Sequence, residues 1–577
     1  MKCFFAALLA VLIGNVLLLA ALGLIAAIQF RDDVDVQPGS VLVQTIAGPI
    51  YDYDPPTAGV VLGSGPTTHT TILENLEKAA RDERIEAVVL KLHAPQIGWA
   101  RADEIREAIE RTRDRGVPVW AYMEYLNGKS LYLAGACDEV ILFPGGYVSL
   151  TGIGAGRPFV KEALDKLGVR PNLHRIEDYK SAAEIVTREE MSEEARANLN
   201  WLLDVIYPNY VRKIEADRNL TQGGYERDVL SQGALVPREA LELKLVDRLA
   251  YFDEVETALL EVKGVEERKR KSDDLPPRPR VVSGEEYAKL DRKDAGIKGK
   301  KTIAVVHAHG TIGGEVSGFA VPWGITMGAA TMEKAFRDAS RNKDVEAIIF
   351  RIDSGGGESA TSWRIARAAQ QAERIKPMVV SMGDVAASGG YTIAYRCSTL
   401  MAERLSVVGS IGSISGKFNL RGLYNKLGIS WDFVTRGPNA LMQSSYFDYT
   451  PEQYESFAER HWADYWEWVE HIAMERNLTP AEVDSVGRGK VWTGTEAVAH
   501  GLVDTLGGYH AAIEIAKAKA GIPEDEDVLF VHYPEREGPL EALRKGGFTM
   551  FLYAVLGELT GGLDHPGSWA IDLNQYR

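Results

Sequence analysis

The residues best suited to chemistry lie in the run Gly383–Tyr391, which reads Gly-Asp-Val-Ala-Ala-Ser-Gly-Gly-Tyr. It follows an apolar stretch, Met378–Met382, that is typical of a buried strand. A helix beginning near Gly389 would place Ser388 at a strand-to-helix turn, where backbone N–H groups can bind a developing oxyanion. A serine that only caps the helix fits the same spacing. Residue types and spacing alone therefore leave Ser388 as either a nucleophile or a cap.

A second candidate is the run Arg351–Gly357, which contains Ser354 followed by three glycines and comes directly after the apolar stretch Ala347–Phe350. Glycines free the backbone to turn its N–H groups toward a ligand. Loops at the carboxyl ends of strands are where open α/β sheets bind ligands. The alternative is a flexible turn without a role.

A nucleophilic serine needs a base. No serine lies in a G-x-S-x-G elbow, and no histidine lies in a triad motif. A lysine can serve if burial lowers its pKa from about 10.4 to about 7, which takes about 4 kcal/mol. The residues alone do not choose among the lysines. His307 and His309 flank one residue of an apparent strand without a third ligand, so no metal and no cofactor is predicted.

The elements that would position these residues occur twice. Arg84–Leu90 resembles Asp344–Phe350 at an offset of 260 residues, and Leu245–Asp247 matches Leu502–Asp504 at 257. Self-similarity at so long a period indicates two tandem domains rather than a solenoid. In each copy, short apolar strands alternate with amphipathic helices, which predicts an α/β fold built from right-handed βαβ units. The strands are predicted at Ala87–Leu90, Val117–Tyr122, Ala347–Phe350 and Met378–Met382, and the helices at Ala100–Arg113 and Ser359–Arg374.

The predicted domains are repeat 1 over residues 41–262, a charged exposed linker over 263–301, repeat 2 over 302–520, and a C-terminal tail over 521–577. The tail contains an apolar run, Phe548–Leu556, that is too short to span a bilayer. A buried helix, an interfacial segment and a subunit contact all fit that run.

The N-terminus predicts a membrane anchor over residues 1–31, although Ala21-Leu22-Gly23 also fits the small-residue site of a cleaved signal. No charged residue occurs from Cys3 to Phe30, which exceeds the roughly 20 apolar residues that a span needs and the roughly 7–15 of a secretory signal. Lys2 precedes the stretch, and Arg31 is followed by two aspartates. The positive-inside rule therefore favours a single-pass protein of the cytoplasmic (inner) membrane with its body on the outer, periplasmic side.

Bulk properties exclude some classes. A chain of 577 residues is too long for one core, and its net charge of −16 argues against a nucleic-acid partner. Three cysteines do not form a disulfide framework.

Several spaced motifs resemble those of the signal peptide peptidase A family. Met382–Tyr391 resembles its nucleophile motif, and Tyr179-Lys180-Ser181-Ala182 its lysine motif. Gly409–Gly412, and Gly489–Gly494 with Gly501–Asp504, are also similar, in family order.

The resemblance covers roughly residues 41–520 and implies two tandem crotonase/Clp-peptidase-like repeats behind the transmembrane helix. It implies a membrane-bound serine endopeptidase with a dyad of Ser388, the nucleophile, and Lys180, the general base. Signal peptides and other apolar fragments would be the substrates, and a homo-oligomer is expected by analogy. The resemblance also suggests Ser410 as the residue that orients the lysine and, as oxyanion donors, the N–H groups of Gly389, Gly356 and Gly357.

The repeat supports this division of labour. At the offset of 260, Ser388 aligns with Gly128, and Lys180 aligns with Ala440 or a near neighbour, so each copy retains one member of the dyad. One departure is Gly355, which stands where the family usually has proline. Because proline would fix φ, its absence makes the loop less rigid. A crotonase-like enzyme acting on acyl thioesters and a non-catalytic scaffold of the same fold are the alternatives.

Overall fold

The computed structural model describes residues 34–53, 67–268, 277–320 and 324–535, and within them the chain forms two α/β units in tandem. The first unit contains the strands β1 (Ser40–Pro49), β2 (Ile85–Gln96), β3 (Val119–Asn127), β4 (Glu139–Leu150), β5 (Arg170–Arg175), β6 (Gly233–Leu235), β7 (Arg248–Leu249) and β8 (Arg280–Ser283). Its helices are α1 (His69–Ala79), α2 (Trp99–Asp114), α3 (Gly128–Ala134), α4 (Lys161–Leu167), α5 (Glu184–Thr187), α6 (Glu193–Asp217), α7 (Pro237–Glu242), α8 (Phe252–Leu259) and α9 (Gly284–Ala288).

The second unit repeats this order from Lys301 onward. Its strands are β9 (Lys301–His309), β10 (Thr311–Ile312), β11 (Gly318–Ala320), β12 (Gly324–Met327), β13 (Val345–Ser354), β14 (Met378–Ala387), β15 (Leu400–Ala402), β16 (Val407–Gly409), β17 (Ile414–Asn419), β18 (Val491–Thr493), β19 (Thr505–Leu506) and β20 (Val528–Tyr533). Its helices are α10 (Ala329–Arg341), α11 (Ser359–Glu373), α12 (Gly389–Thr392), α13 (Arg421–Lys426), α14 (Pro451–Arg476), α15 (Pro480–Val486), α16 (Gly494–Ala499) and α17 (Tyr509–Ala520).

Each unit is built on one largely parallel sheet. The first sheet has the order β6-β4-β3-β2-β1-β8, with β7 also paired to β4. The second has the order β18-β16-β14-β13-β9-β20, with β15 paired to β14 and β19. The central strands β2 and β13 each contain a continuous apolar run, Ala87–Leu90 and Ala347–Phe350, because both faces of the sheet are covered there. The predicted α/β fold with two tandem repeats is therefore correct.

The two copies place equivalent strands at equivalent positions. Strand β3 precedes helix α3 in the first unit, as β14 precedes α12 in the second. Each predicted strand and helix is present with shifted ends: β3 begins at Val119 rather than Val117, α11 ends at Glu373 rather than Arg374, and the strands extend past the predicted runs at their carboxyl ends. A parallel strand can continue into polar residues at its carboxyl end, where the loops of the site begin.

The predicted linker over 263–301 is wrong for its second half. Strand β8 lies in the first sheet, parallel to β1, and Tyr287 on α9 is fully buried. Lys78 Nζ donates hydrogen bonds to the backbone oxygens of Tyr287 and Leu290, at 2.8 and 3.2 Å. This segment completes the first unit as β20 completes the second. Its few apolar residues stand among many charges, so the composition suggested an exposed segment.

The predicted boundary between repeat 2 and the tail is also wrong. Strand β20 pairs in parallel with β9 along its whole length, so the second unit continues to Tyr533. The predicted anchor over residues 1–31 and the apolar run Phe548–Leu556 lie outside the described residues. Among the helices that the structure does describe, none has the length and apolar character needed to cross a bilayer.

The two units meet through buried charges. Arg351 on β13 is 1% exposed and donates to both carboxylate oxygens of Glu104 on α2, at 2.8 and 2.7 Å. It also donates to Asp52, at 3.1 Å. Glu104 in turn accepts from the backbone N–H of Tyr509, at 2.8 Å, and so caps the start of α17. A side chain of the first unit thus completes a helix of the second.

Candidate active site

Ser388 lies at the turn from β14 to α12, half-buried, with φ 55° and ψ −120°. A non-glycine residue rarely adopts a positive φ, and such strained residues cluster at active sites. Its backbone N–H donates to Gly409 O at the end of the neighbouring strand β16, at 2.8 Å. Ser388 is therefore held by its backbone, and its hydroxyl remains available for chemistry.

Lys180 comes from the first unit, at the start of a 3₁₀ turn (Ser181–Ala183) that follows β5. Its side chain is 7% exposed. Strand β5 pairs antiparallel with β17 of the second unit, from Arg175 opposite Ile414 to Arg170 opposite Asn419. This two-stranded ribbon carries the lysine across to the second unit.

Ser410 binds the lysine. Lys180 Nζ donates to Ser410 Oγ at 2.8 Å and to the backbone oxygen of Ser410 at 2.9 Å. Ser410 has a positive φ of 52° and follows Gly409, which accepts the hydrogen bond from Ser388. Two consecutive residues of one segment thus bind the backbone of Ser388 and the amine of Lys180. The three residues singled out from the sequence are thus linked through the Gly409–Ser410 segment.

The environment of Lys180 determines its protonation. Burial lowers the pKa of Lys180 from 10.5 to about 7, because the ammonium form loses its hydration. No carboxylate of the described chain lies within ion-pair distance to raise it again. A large share of the lysine is therefore a neutral amine near pH 7, and a neutral amine can accept a proton.

The glycine loop lies against the serine turn. A Cβ on Gly356, whose φ is 99°, would stand 2.5 Å from Gly389 N and 2.8 Å from Ser388 Cβ. A Cβ on Gly389 would stand 2.6 Å from Ser362 Oγ. Only glycine fits at either position, because the two backbones touch.

The backbone nitrogens of Gly389 and Gly357 lie close together next to the Ser388 turn. Gly357 bridges Ile312, whose N–H donates to Gly356 O at 2.9 Å and whose oxygen accepts from Glu358 N–H at 2.8 Å. In a parallel bridge of this kind the N–H of Gly357 itself points the other way. The nitrogen of Gly357 lies near Gly389, since a Cβ on Gly389 would lie 3.0 Å from Gly357 N.

Gly389 is the first residue of α12, so its N–H has no acceptor within the helix. Helix α12 spans only Gly389–Thr392 and supplies individual N–H groups rather than a macrodipole. Of the two loop donors predicted, Gly356 already donates to Ser354 Oγ, at 3.2 Å. The candidate oxyanion donors are therefore Gly389 and Gly357.

A segment that the residues alone had left without a role supports the lysine. Gly489, with φ 82°, packs so closely that a Cβ would lie 2.3 Å from Lys180 N. Its N–H donates to Ile411 O, at 2.7 Å, and Lys490 O accepts from Ser410 N–H, also at 2.7 Å. Gly489 thus packs against the backbone of Lys180 while its segment is hydrogen-bonded to the Ser410 segment.

Asn198 on α6 was missed by the sequence analysis. Its side chain is 6% exposed and forms two hydrogen bonds with the backbone of Val491 on β18, both at 3.0 Å. It substitutes for a neighbouring strand at the sheet edge beside the lysine segment. A lone asparagine within a helical pattern gives no signal of such a contact.

The histidine pair considered for a metal makes other contacts. His307 lies 3.2 Å from Asp52 and 3.0 Å from His532, and His309 lies 3.4 Å from Asp353. The described part of the chain contains no group of three or more side chains placed to hold a metal ion. His307 thus contacts a carboxylate of the first unit, whereas His309 contacts a carboxylate of its own unit.

The chain was compared with known proteins. The family described as Peptidase family S49 matches it twice, over residues 111–266, which contain Lys180, and over residues 370–523, which contain Ser388 and Ser410. The "Serine protease SPPA, chloroplastic" of Arabidopsis thaliana is 32% identical over 533 residues, covering 91% of this chain and 76% of that protein. "Protease 4" of Salmonella typhi is 32% identical over 469 residues, covering 78% of this chain and 72% of that protein.

A solved structure of a ClpP1 variant from Listeria monocytogenes aligns with a TM-score of 0.23 and 14% identity, over 36% of this chain and 94% of that chain, a likeness too slight to support an argument. The two family matches fall one on each unit, and the similarity to the proteases extends over most of the chain. The chain belongs to peptidase family S49 and is a serine protease.

Proposed function

We propose that Ser388 is the nucleophile and Lys180 the general base of a Ser–Lys dyad, with one member from each repeat. The observation that carries the proposal is the buried amine of Lys180, whose pKa lies at about 7 and which binds Ser410 next to the residue that holds Ser388. A base works best when its pKa lies near the working pH.

In the proposed reaction, Ser388 Oγ attacks the scissile carbonyl carbon while the neutral Lys180 amine takes the hydroxyl proton. The carbonyl electrons move to the oxygen, which accepts hydrogen bonds from the N–H groups of Gly389 and Gly357. When the tetrahedral intermediate collapses, the Lys180 ammonium returns the proton to the leaving amine. Water then attacks the carbonyl carbon of the ester while Lys180 takes one of its protons, and the lysine returns that proton to Ser388 Oγ as the peptide acid leaves.

Ser410 keeps the amine in place through this cycle. Both of its oxygens accept from Lys180 Nζ, so the amine retains partners whether it is neutral or protonated. Neither oxygen of Ser410 carries a charge. These neutral oxygens stabilise the ammonium form far less than a carboxylate would. The lysine therefore remains a base rather than half of an ion pair.

The substrates are proposed to be signal peptides and other apolar peptide fragments at the membrane surface. The apolar stretch Cys3–Phe30 supports a single-pass anchor in the cytoplasmic (inner) membrane, with the body on the periplasmic side. A homo-oligomer and the crotonase/Clp-peptidase type of fold belong to the same proposal.

The dyad is tested by hydrolysis of an apolar peptide and by labelling with a fluorophosphonate. Ser388→Ala should lose both, and Lys180→Ala should lose nearly all hydrolysis. Lys180→Arg should also be inactive, because arginine cannot become neutral in a protein. Lys166→Ala, at a lysine whose side chain is 79% exposed, is the matched control and should keep full activity. Substantial hydrolysis by either Ser388→Ala or Lys180→Arg would reject the dyad.

A further inference from the structure

Both strands that lead into the site carry a buried carboxylate shortly before they end. Asp353 on β13 directly precedes Ser354 and the glycine loop, and Asp384 on β14 lies four residues before Ser388. The side chains of Asp353 and Asp384 are 9% and 12% exposed. Both contact the guanidinium of one residue of the first repeat, Arg101 on α2, which is itself 7% exposed.

Asp384 joins β14 to the start of helix α2. Its carboxylate accepts from the backbone N–H groups of Gly98 and Arg101, both at 3.0 Å, and from Nε of Arg101. The approach is so close that a Cβ on Gly98 would lie 2.0 Å from Asp384 Cγ. A strand of the second repeat thus caps a helix of the first.

Asp353 forms a hydrogen bond with a β-bulge in β14. From Ile352 to Ser354, strand β13 advances two residues while β14 advances four, from Met382 to Ala386. Asp353 accepts from the backbone N–H of Val385 within this bulge, at 3.1 Å, and lies 3.5 Å from Nη2 of Arg101. Bulges bend a strand and redirect the residues that follow, which here are the residues up to Ser388.

We infer that Arg101 is a positioning residue for the reaction at Ser388. The inference rests on the proposed function and extends it. Two carboxylates so deeply buried require a cation, and Arg101 is the residue that meets both. Through Asp384 it fixes the path of β14 to the nucleophile, and through Asp353 it fixes the end of β13 that carries Gly357.

The expected consequence is a loss of rate rather than of substrate binding. Arg101 contacts the two strands beneath the reacting groups, whereas a peptide would lie above the turn at Ser388. Displacing a reacting group by about 1 Å can cost roughly a hundredfold in rate. The first repeat therefore contributes the geometry of the nucleophile in addition to the base.

The chain offers a matched control on the same helix. Arg106 on α2 is 2% exposed and binds Tyr132 O and Asp217, at 3.0 Å to Asp217 Oδ1, and these partners belong to the first repeat. Arg101→Met and Arg106→Met each remove a buried guanidinium from the same helix, and only Arg101 contacts carboxylates of the second repeat. The full-length variants are compared by Tm and by kcat and KM on one apolar peptide.

Both variants should melt at a lower temperature. Arg101→Met should lower kcat roughly ten- to a hundredfold with little change in KM, whereas Arg106→Met should keep the wild-type kcat. Arg101→Lys should have a higher kcat than Arg101→Met, since lysine keeps a cation between the two carboxylates. It should stay below wild type, because an ammonium lacks the planar set of donors of a guanidinium. An unchanged kcat in Arg101→Met, or an equal fall in Arg106→Met, would overturn the inference.

If Arg101→Met does not fold, Asp384→Asn and Asp217→Asn repeat the comparison from the acceptor side with the same expected contrast. Ser388→Ala in the same assay distinguishes a failure of the proposed dyad from a failure of the positioning role of Arg101. Activity retained in Ser388→Ala would reject the proposed function. An inactive Ser388→Ala beside a fully active Arg101→Met would reject the positioning role alone.

Discussion

Ser388 adopts a backbone conformation that costs free energy. At φ 55° and ψ −120° a residue with a Cβ is strained by about 1–3 kcal/mol. The surrounding structure maintains the strain through the hydrogen bond from Ser388 N–H to Gly409 O and through the close contact with Gly356. A serine that merely capped a helix would have an extended backbone, as Ser192 and Ser283 do.

Because Ser388 is strained, replacing it with glycine should abolish activity and relieve the strain. Ser388→Ala and Ser388→Gly should both be inactive, but the glycine variant should be more stable than the alanine variant by about 1 kcal/mol. Glycine relieves the positive φ, and its greater freedom in the unfolded chain offsets only part of that gain. Denaturant unfolding of both variants measures the difference.

Ser130 provides the control for this comparison. It lies within helix α3 and is fully buried, so Ser130→Gly should be less stable than Ser130→Ala by about 0.5–1 kcal/mol. The same order at both positions would mean that Ser388 is not strained.

Lys180 predicts a specific dependence of stability on pH. Its pKa is about 7 in the folded chain and about 10.4 in the unfolded chain, so between these values the unfolded chain binds more protons. The free energy of unfolding should therefore rise with pH across this window, by roughly 4–5 kcal/mol from this residue. Activity should rise as pH increases through about 7.

Replacing Lys180 with methionine should remove this rise and make the protein more stable than wild type below pH 7, because a dry site favours an apolar side chain. Denaturant midpoints of both proteins at several pH values between 6 and 10.5 provide the measurement. Parallel trends would show that Lys180 does not have a lowered pKa.

At the scale of elements, the segment around Gly489 is the support on which the lysine rests. Gly489→Ala combines a positive φ of 82° with a Cβ placed 2.3 Å from Lys180 N. We expect a loss of about 1–3 kcal/mol in stability together with most of the activity. Peptide hydrolysis and thermal unfolding measure the two effects separately.

Gly521 provides the control for this prediction. It has a φ of 68° at the end of α17 and open space where a Cβ would stand, so Gly521→Ala carries the backbone strain without a contact at the site. This variant should lose stability and keep its activity. Equal activity in the two variants would mean that Gly489 does not position the lysine.

The elements themselves could largely be predicted from the sequence. Short apolar runs such as Ala347–Phe350 identified the strands, because a covered parallel strand is apolar on both faces. The closing strand β8 could not be predicted in this way, since only Val282 of its residues is buried and its neighbours are charged. The supports of the lysine, Gly489 and Asn198, depend on contacts between distant parts of the chain that no local pattern encodes.

For the whole molecule, the proposed topology can be measured with a single cysteine. Val434 is 90% exposed, whereas Cys137 and Cys397 are buried. Val434→Cys should react with a membrane-impermeant maleimide in intact spheroplasts, because the body is proposed to lie outside the cytoplasmic membrane. Cys3 is replaced by serine in both proteins, and the parent without Val434→Cys should remain unlabelled before and after lysis. Labelling of Val434→Cys only after lysis would place the body on the cytoplasmic side.

The joining of the two units could not be predicted from composition. Arg101, Arg351 and Glu104 have the residue types of a solvated surface, and most such residues are exposed. Only the fold reveals that they are buried against one another, with Arg351 and Glu104 1% and 2% exposed. The duplication could be recognised in the sequence, whereas the contact between its products could not.

The exchange of helix caps between the units bears on how the protein is made. A chain emerges from the ribosome with its N-terminal part first. Glu104 then lacks Tyr509, and the start of α2 lacks Asp384, until hundreds of further residues have been translated. Lys180 is also synthesised long before Ser388, and the strand that closes the second sheet, β20, comes last. A nascent chain therefore cannot assemble the proposed dyad of Lys180 and Ser388 before most of the second unit has been made, so the proposed chemistry has to await its synthesis.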